Sequence, residues 1–211
     1  QAQVYPRRVR GVHGDVHAAT RDVDAEGRSV STHAFHCHAC GAGNLPGVRI
    51  VVCVKHVPDI QAERAFTPEG RVDRGRGDGT VNEVDENALE AARRLAEAAP
   101  DGEVEVVALT MGPAPALDAV RRGLQLGADR GVHVTDDALA GSDAFATARV
   151  LAAAVRRIGD VDLVLLGMAA LDSLTSLLPA ALAEELDLPA LTIASELSST
   201  TPPRPRSTNR R

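Results

Sequence analysis

Three groups of residues in this 211-residue chain have types and spacings that could carry chemistry. The first is His33-Ala34-Phe35-His36-Cys37-His38-Ala39-Cys40, a Cys-x-x-Cys with three histidines close by. Such soft ligands suit tetrahedral zinc, but closed structural sites draw on two separated ligand pairs, so an incidental cluster is the competing reading. The second group is Cys53 and His56. Cys53 lies inside an apolar run and reads as a small core residue rather than a reactive thiol. His56 has no evident carboxylate and nucleophile partners and reads as a polar loop residue rather than a general base. The third group is Gly167 followed by Asp172, Ser173, Thr175 and Ser176. A glycine there admits close backbone approach, and hydroxyls with free amides at a helix start would suit an anion. The alternative is that Asp172, Ser173 and Ser176 only cap that helix. A Gly-x-Ser-x-Gly elbow, a Walker phosphate loop and a Gly-x-Gly-x-x-Gly fingerprint after the first strand do not occur in the sequence. The candidates therefore suit binding more than bond making.

These groups are positioned by an alternation of strands and amphipathic helices. Residues 48–54 are almost continuously aliphatic, as expected of a parallel strand covered on both faces. A connection rich in proline and glycine follows, and then a helix over 82–98. Asn82 or Asp85 is expected to cap it, with acidic residues favouring its positive end. Strands are predicted at 103–110, 132–134, 161–166 and 190–194. Helices are predicted at 115–126, at 144–158 with Ser142 and Asp143 as caps and Phe145 on the apolar face, and at 177–186. This is the pattern of an α/β, doubly wound, mostly parallel sheet of Rossmann-like nucleotide-binding (adenine nucleotide alpha hydrolase-like) architecture. With strand order 3-2-1-4-5, the ends of the first and fourth strands flank a switch point, where open sheets bind ligands. Cys53, Asn82, Met111 and the loop from Gly167 to Ser176 then surround one crevice.

The expected organisation is an atypical or disordered leader over 1–46, one nucleotide-binding domain over 47–197, and a disordered tail rich in Pro, Arg, Ser and Thr over 198–211. A net charge of -6 and a pI near 5.6 speak against nucleic acid or an anionic membrane as the main partner. No apolar run approaches the roughly 20 residues of a membrane span. A cytoplasmic protein is the expectation.

Several longer strings are more specific. Val51-Val52-Cys53-Val54-Lys55-His56-Val57-Pro58-Asp59, Asn82-Glu83-Val84-Asp85-Glu86-Asn87-Ala88-Leu89-Glu90, Leu109-Thr110-Met111-Gly112-Pro113, Leu126-Gly127-Ala128-Asp129-Arg130 and Gly141-Ser142-Asp143 resemble the beta subunit of electron-transfer flavoproteins, in order and spacing, over about residues 48–196. The resemblance implies an electron carrier without turnover of its own, paired with an alpha subunit that holds most of the FAD. It implies electron transfer from flavin-dependent dehydrogenases, such as acyl-CoA dehydrogenases, and a structural AMP in the beta subunit's own crevice. It places that AMP against Cys53, Asn82, Glu83, Val84, Asp85, Met111 and the loop starting at Gly167, with Asp172 and Ser176; Thr175 joins them as a hydroxyl in the same loop. Where bacterial relatives commonly have Thr-Asp-Gly-Gly-Thr-Gly, this chain has Leu171-Asp172-Ser173-Leu174-Thr175-Ser176. The likeness ends before the tail, so a truncated or frame-shifted product is one expectation there. Competing functions are a free-standing ATP- or AMP-binding module of the stress-protein type and an inactive fragment.

Overall fold

A computed structural model describes residues 47–59, 61, 63, 65–74, 79–99, 103–194 and 197, together with the backbone of two strands nearer the start. The expected α/β architecture is present. Strands β3 (Val48–Cys53), β6 (Val104–Met111), β7 (Arg130–Val134) and β8 (Leu163–Gly167) run parallel in the order β7-β6-β3-β8. Helices α1 (Glu83–Ala98), α2 (Leu117–Gln125), α3 (Ala144–Ile158) and α4 (Leu178–Leu186) connect them and lead on to β9 (Leu191–Ala194).

Both faces of the sheet are covered, which explains why its strands are apolar throughout rather than alternating. Ile50 and Val52 of β3 face one way and pack with Ala88, Leu89 and Ala92 of α1. Val51 and Cys53 face the other way and join a cluster that includes Leu151 and Val155 of α3 and Leu182 of α4. With 2% aromatic content, the core is filled by such aliphatic side chains. Helix α3 has the predicted bounds, and Asp143 caps it by accepting from the Ala146 amide at 2.8 Å. Phe145 departs from expectation, being 54% exposed. A periodic stripe gives the direction a residue points, not whether anything lies opposite it.

The strand order needs two corrections. The predicted first four strands have the expected order, but β9 does not lie beside β8. Strand β1 (Ala2–Pro6) lies between them, antiparallel to both, and β2 (His33–His36) pairs antiparallel with β7 at the other edge. The leader thus contributes two strands where none was expected. Strands of five and four residues are too short to display a period of two in a mixed sequence, and unpaired edges of β7 and β8 would accept any extended segment. Cys37 and Cys40 of the zinc expectation and the tail over 198–211 lie outside the described residues. A second correction concerns the breaker-rich connection after β3. It contains a small antiparallel pair, β4 (His56–Pro58) with β5 (Gly79–Val81), so His56 is a strand residue. No helix among the described residues is long and apolar enough to cross a membrane.

Candidate functional site

The carboxyl ends of the neighbouring strands β6, β3 and β8 bring most of the sequence-selected residues to one end of the sheet. Cys53, Met111 and Gly167 are the last residues of β3, β6 and β8. Asn82, Glu83, Val84 and Asp85 form the start of α1, and Asp172, Thr175 and Ser176 lie in the turn between β8 and α4. Asn82, Asp85 and Asp172 are buried, Val84 and Met111 half-buried, and Glu83, Thr175 and Ser176 exposed.

Asn82 is 1% exposed and its side chain does not cap α1. Its Nδ2 donates to the Ala169 carbonyl at 2.9 Å, and its Oδ1 accepts from the Leu171 amide at 3.0 Å. It is therefore a cross-link between α1 and the β8–α4 turn. Asp85 makes the companion link: its Oδ2 accepts from the Lys55 amide at 2.8 Å, just past β3. Gly167 lets this corner close. A Cβ there would overlap Asp85 Oδ1 and come within 2.9 Å of the Val84 carbonyl carbon, so the close approach this glycine permits is made by the first turn of α1. Burial pushes the Asp85 carboxyl up to about 7, against hydrogen bonds from the Lys55 amide, Asn82 and the Gly167 amide and the charge of Lys55. Burial, aided by the nearby Asp85, pushes the Cys53 thiol up to about 12, so it is neutral and inert at physiological pH.

Asp172 does not cap α4, whose N-cap is Leu177 without a side-chain hydrogen bond. Its carboxylate accepts from Lys55 Nζ at 2.8 Å on Oδ1 and from Arg74 Nε at 2.9 Å on Oδ2, and the Ser173 hydroxyl donates to Oδ1 at 3.2 Å. Burial alone would raise this carboxyl, but the ammonium and guanidinium overcome it and hold the group below its usual range. Ser173 and Ser176 are likewise not caps, and Thr175 donates to the Ser173 hydroxyl at 3.1 Å. In the same turn Leu174 adopts φ 52, a left-handed conformation that glycine adopts freely.

Sequence reasoning missed Lys55 and Arg74. Lys55 joins the two carboxylates, with its amide on Asp85 and its ammonium on Asp172. The available signal was a lysine immediately after a buried strand at a switch point. No comparable signal marks Arg74, 98 residues from its partner. No group of three or more His, Cys, Asp or Glu among the described residues is placed to hold a metal.

Residues 70–205 match the family described as the Electron transfer flavoprotein domain. The chain belongs to that family. It is 41% identical over 146 residues to the electron transfer flavoprotein subunit beta of Mycobacterium bovis, covering 68% of this chain and 55% of that protein. It is 36% identical over 147 residues to the acryloyl-CoA reductase electron transfer subunit gamma of Anaerotignum propionicum, covering 69% and 54%. A third relative, protein FixA of Azorhizobium caulinodans, is 39% identical over 156 residues, covering 72% and 54%. The chain thus spans about half the length of the curated relatives it matches.

The corner just described carries an ion-paired trio at its rim. Lys55 and Arg74 bring two positive charges to the single negative charge of Asp172, and both cations are partly exposed, with side chains 37% and 48% accessible. The surplus positive charge of this trio favours an anion, opposed by the acidic Glu83 and Glu86 in the first turn of α1. The exposed hydroxyls of Thr175 and Ser176 add donors.

Proposed function

We propose that this chain is the nucleotide-binding part of the beta subunit of a heterodimeric electron-transfer flavoprotein. Its partner is an alpha subunit that holds most of the FAD, and AMP sits as a structural ligand at the ends of β3, β6 and β8. The complex passes electrons from flavin-dependent dehydrogenases, such as acyl-CoA dehydrogenases, to a downstream acceptor in the cytoplasm. The observation that carries this reading is the convergence of Cys53, Asn82, Glu83, Val84, Asp85, Met111, Gly167, Asp172, Thr175 and Ser176 on that one end of the sheet, in a chain whose relatives are electron transfer subunits.

Bound flavin supplies the redox chemistry, and this chain supplies binding and positioning without turnover of its own. Asn82 and Asp85 lock α1 to the ends of β3 and β8, fixing the floor against which a nucleotide packs. Lys55 faces its phosphate, and Thr175 and Ser176 offer hydroxyls to it. AMP is expected to stabilise the chain, because a ligand binding only the folded state adds about 2.7 kcal/mol at a hundredfold excess over Kd. The measurement is a thermal shift at millimolar AMP. A folded sample that shows none overturns the AMP site, and a yellow flavin complex formed only with a co-expressed alpha subunit supports the pairing.

A further inference from the structure

Between β4 and β5 the chain makes an excursion whose described part, residues 65–74, is a small hairpin of its own. Phe66 and Val72 form an antiparallel bridge, the Thr67 amide donates to the Arg71 carbonyl at 2.8 Å, and the Asp73 amide donates to the Ala65 carbonyl at 2.9 Å. Gly70, at φ 76, makes the turn possible.

This arm is bonded to the rest of the chain at one distant place and packs against it at another. Arg74 donates to Asp172 in the turn after β8, from both Nε and Nη2. The guanidinium of Arg71 lies over Gly141 in the connection after β7, where a Cβ would overlap Nη1 and come within 3.3 Å of Cζ. The arm itself leaves the chain after β4, the short strand that follows β3. All three attachments therefore lie beyond the carboxyl ends of parallel strands whose order is β7-β6-β3-β8. An arm fixed after β8 at one end and after β7 at the other crosses in front of β6 and β3, the strands that end in Met111 and Cys53.

We propose that residues 65–74 are a strap closing over the nucleotide crevice, with Arg74 and Asp172 as the positioning residues that latch it. The inference rests on the nucleotide reading above. The chemistry of the latch suits repeated opening. Removing one partner of a buried ion pair normally strands the other charge, at high cost. Here Lys55 remains on Asp172 when Arg74 leaves, so the carboxylate keeps a counter-ion and the half-exposed guanidinium passes into water.

The test is the rate at which labelled AMP leaves this chain when chased with excess unlabelled AMP. Arg74→Ala is expected to release AMP about tenfold faster, as loss of the Arg74–Asp172 latch frees the strap and such losses act mainly on dissociation. Arg74→Lys, which keeps the charge but not the fork, is expected to fall between. Arg71→Ala, which frees the other end, is expected to change release in the same direction. Amide exchange at Thr67, Gly70 and Asp73 is expected to quicken in Arg74→Ala without a change in the core of β3. Wild-type protein that binds AMP and releases it at the same rate as Arg74→Ala and Arg71→Ala overturns the strap and leaves the nucleotide site standing. Wild-type protein that binds no AMP at millimolar concentration overturns both.

Discussion

Asp85 and Asp172 are two buried aspartates at the same end of one sheet, joined through Lys55, and they titrate in opposite directions. Asp85 is met chiefly by amide donors, with the Lys55 charge a smaller influence, at the packed junction of α1, β3 and β8, so desolvation dominates and its proton is held up to about pH 7. Asp172 is met by an ammonium and a guanidinium, so its charge is held. The lesson is that burial alone does not decide the state of a carboxyl; what decides it is whether charges or dipoles replace the lost water. The floor of the site is rigid and close to neutral, whereas its rim is ionic and separable.

The largest expected effect breaks the floor. Asn82→Asp replaces the Nδ2 donor with an anionic oxygen facing the Ala169 carbonyl, at a position 1% exposed and beside Asp85. An uncompensated buried charge costs about 3–5 kcal/mol. Asn82→Ala only deletes the link and leaves two backbone groups unpaired, about 1–3 kcal/mol. If Asn82 acted as a helix cap, aspartate would replace it almost freely. Urea unfolding of the two variants near pH 8 distinguishes the cases: the cross-link requires the aspartate variant to be the weaker.

Asp85 is expected to give the next largest effect, through pH. Its folded value, about 7, lies above its unfolded value near 3.8, so the folded state holds the proton more tightly. Its stabilising contribution is full below pH 4 and is lost as pH rises through 7, about 2–4 kcal/mol in all. Asp85→Asn is expected to abolish that loss. A stability curve whose slope between pH 4 and 8 is the same in both proteins excludes the neutral floor.

The same contrast explains what could be read without coordinates. Helix α3 was legible because its signals are local: a cap and an apolar period of 3.6. The parallel core was legible because burial on both faces leaves unbroken aliphatic runs. The end of the sheet was legible as a place, because topology dictates where strands open. The bonding within it was not. Asn82 and Asp172 both have the residue types of helix caps, and the local rule assigns them so, but their partners lie 87 and 89 residues away for Asn82, and 98 and 117 for Asp172. Strand β1 escaped notice for a related reason, since its pairing depends on the open edge of β8 and not on any pattern of its own.

The smallest expected effect concerns the rim. Asp172 is held below its usual range, so its stabilising contribution is present above the unfolded value near 3.8 and is lost as pH falls through the lower folded value. This is the opposite limb from Asp85. Its side chain is fully covered, but both cations are more than one-third exposed, and water screens pairs of that kind. The contribution is therefore about 1 kcal/mol or less. Salt separates rim from floor: at 1 M the screening length is only about 3 Å, which weakens the pull of half-exposed cations, whereas the desolvation that dominates at Asp85 is not screened. Stability measured from pH 2 to 8 at low and high salt is expected to show a flattened acid limb and an unchanged limb between pH 4 and 8. Asp172→Asn is expected to erase the acid limb alone. A neutral limb as salt-sensitive as the acid limb would make the Lys55 charge, and not desolvation, the main influence on Asp85, and the difference between floor and rim would then be one of degree.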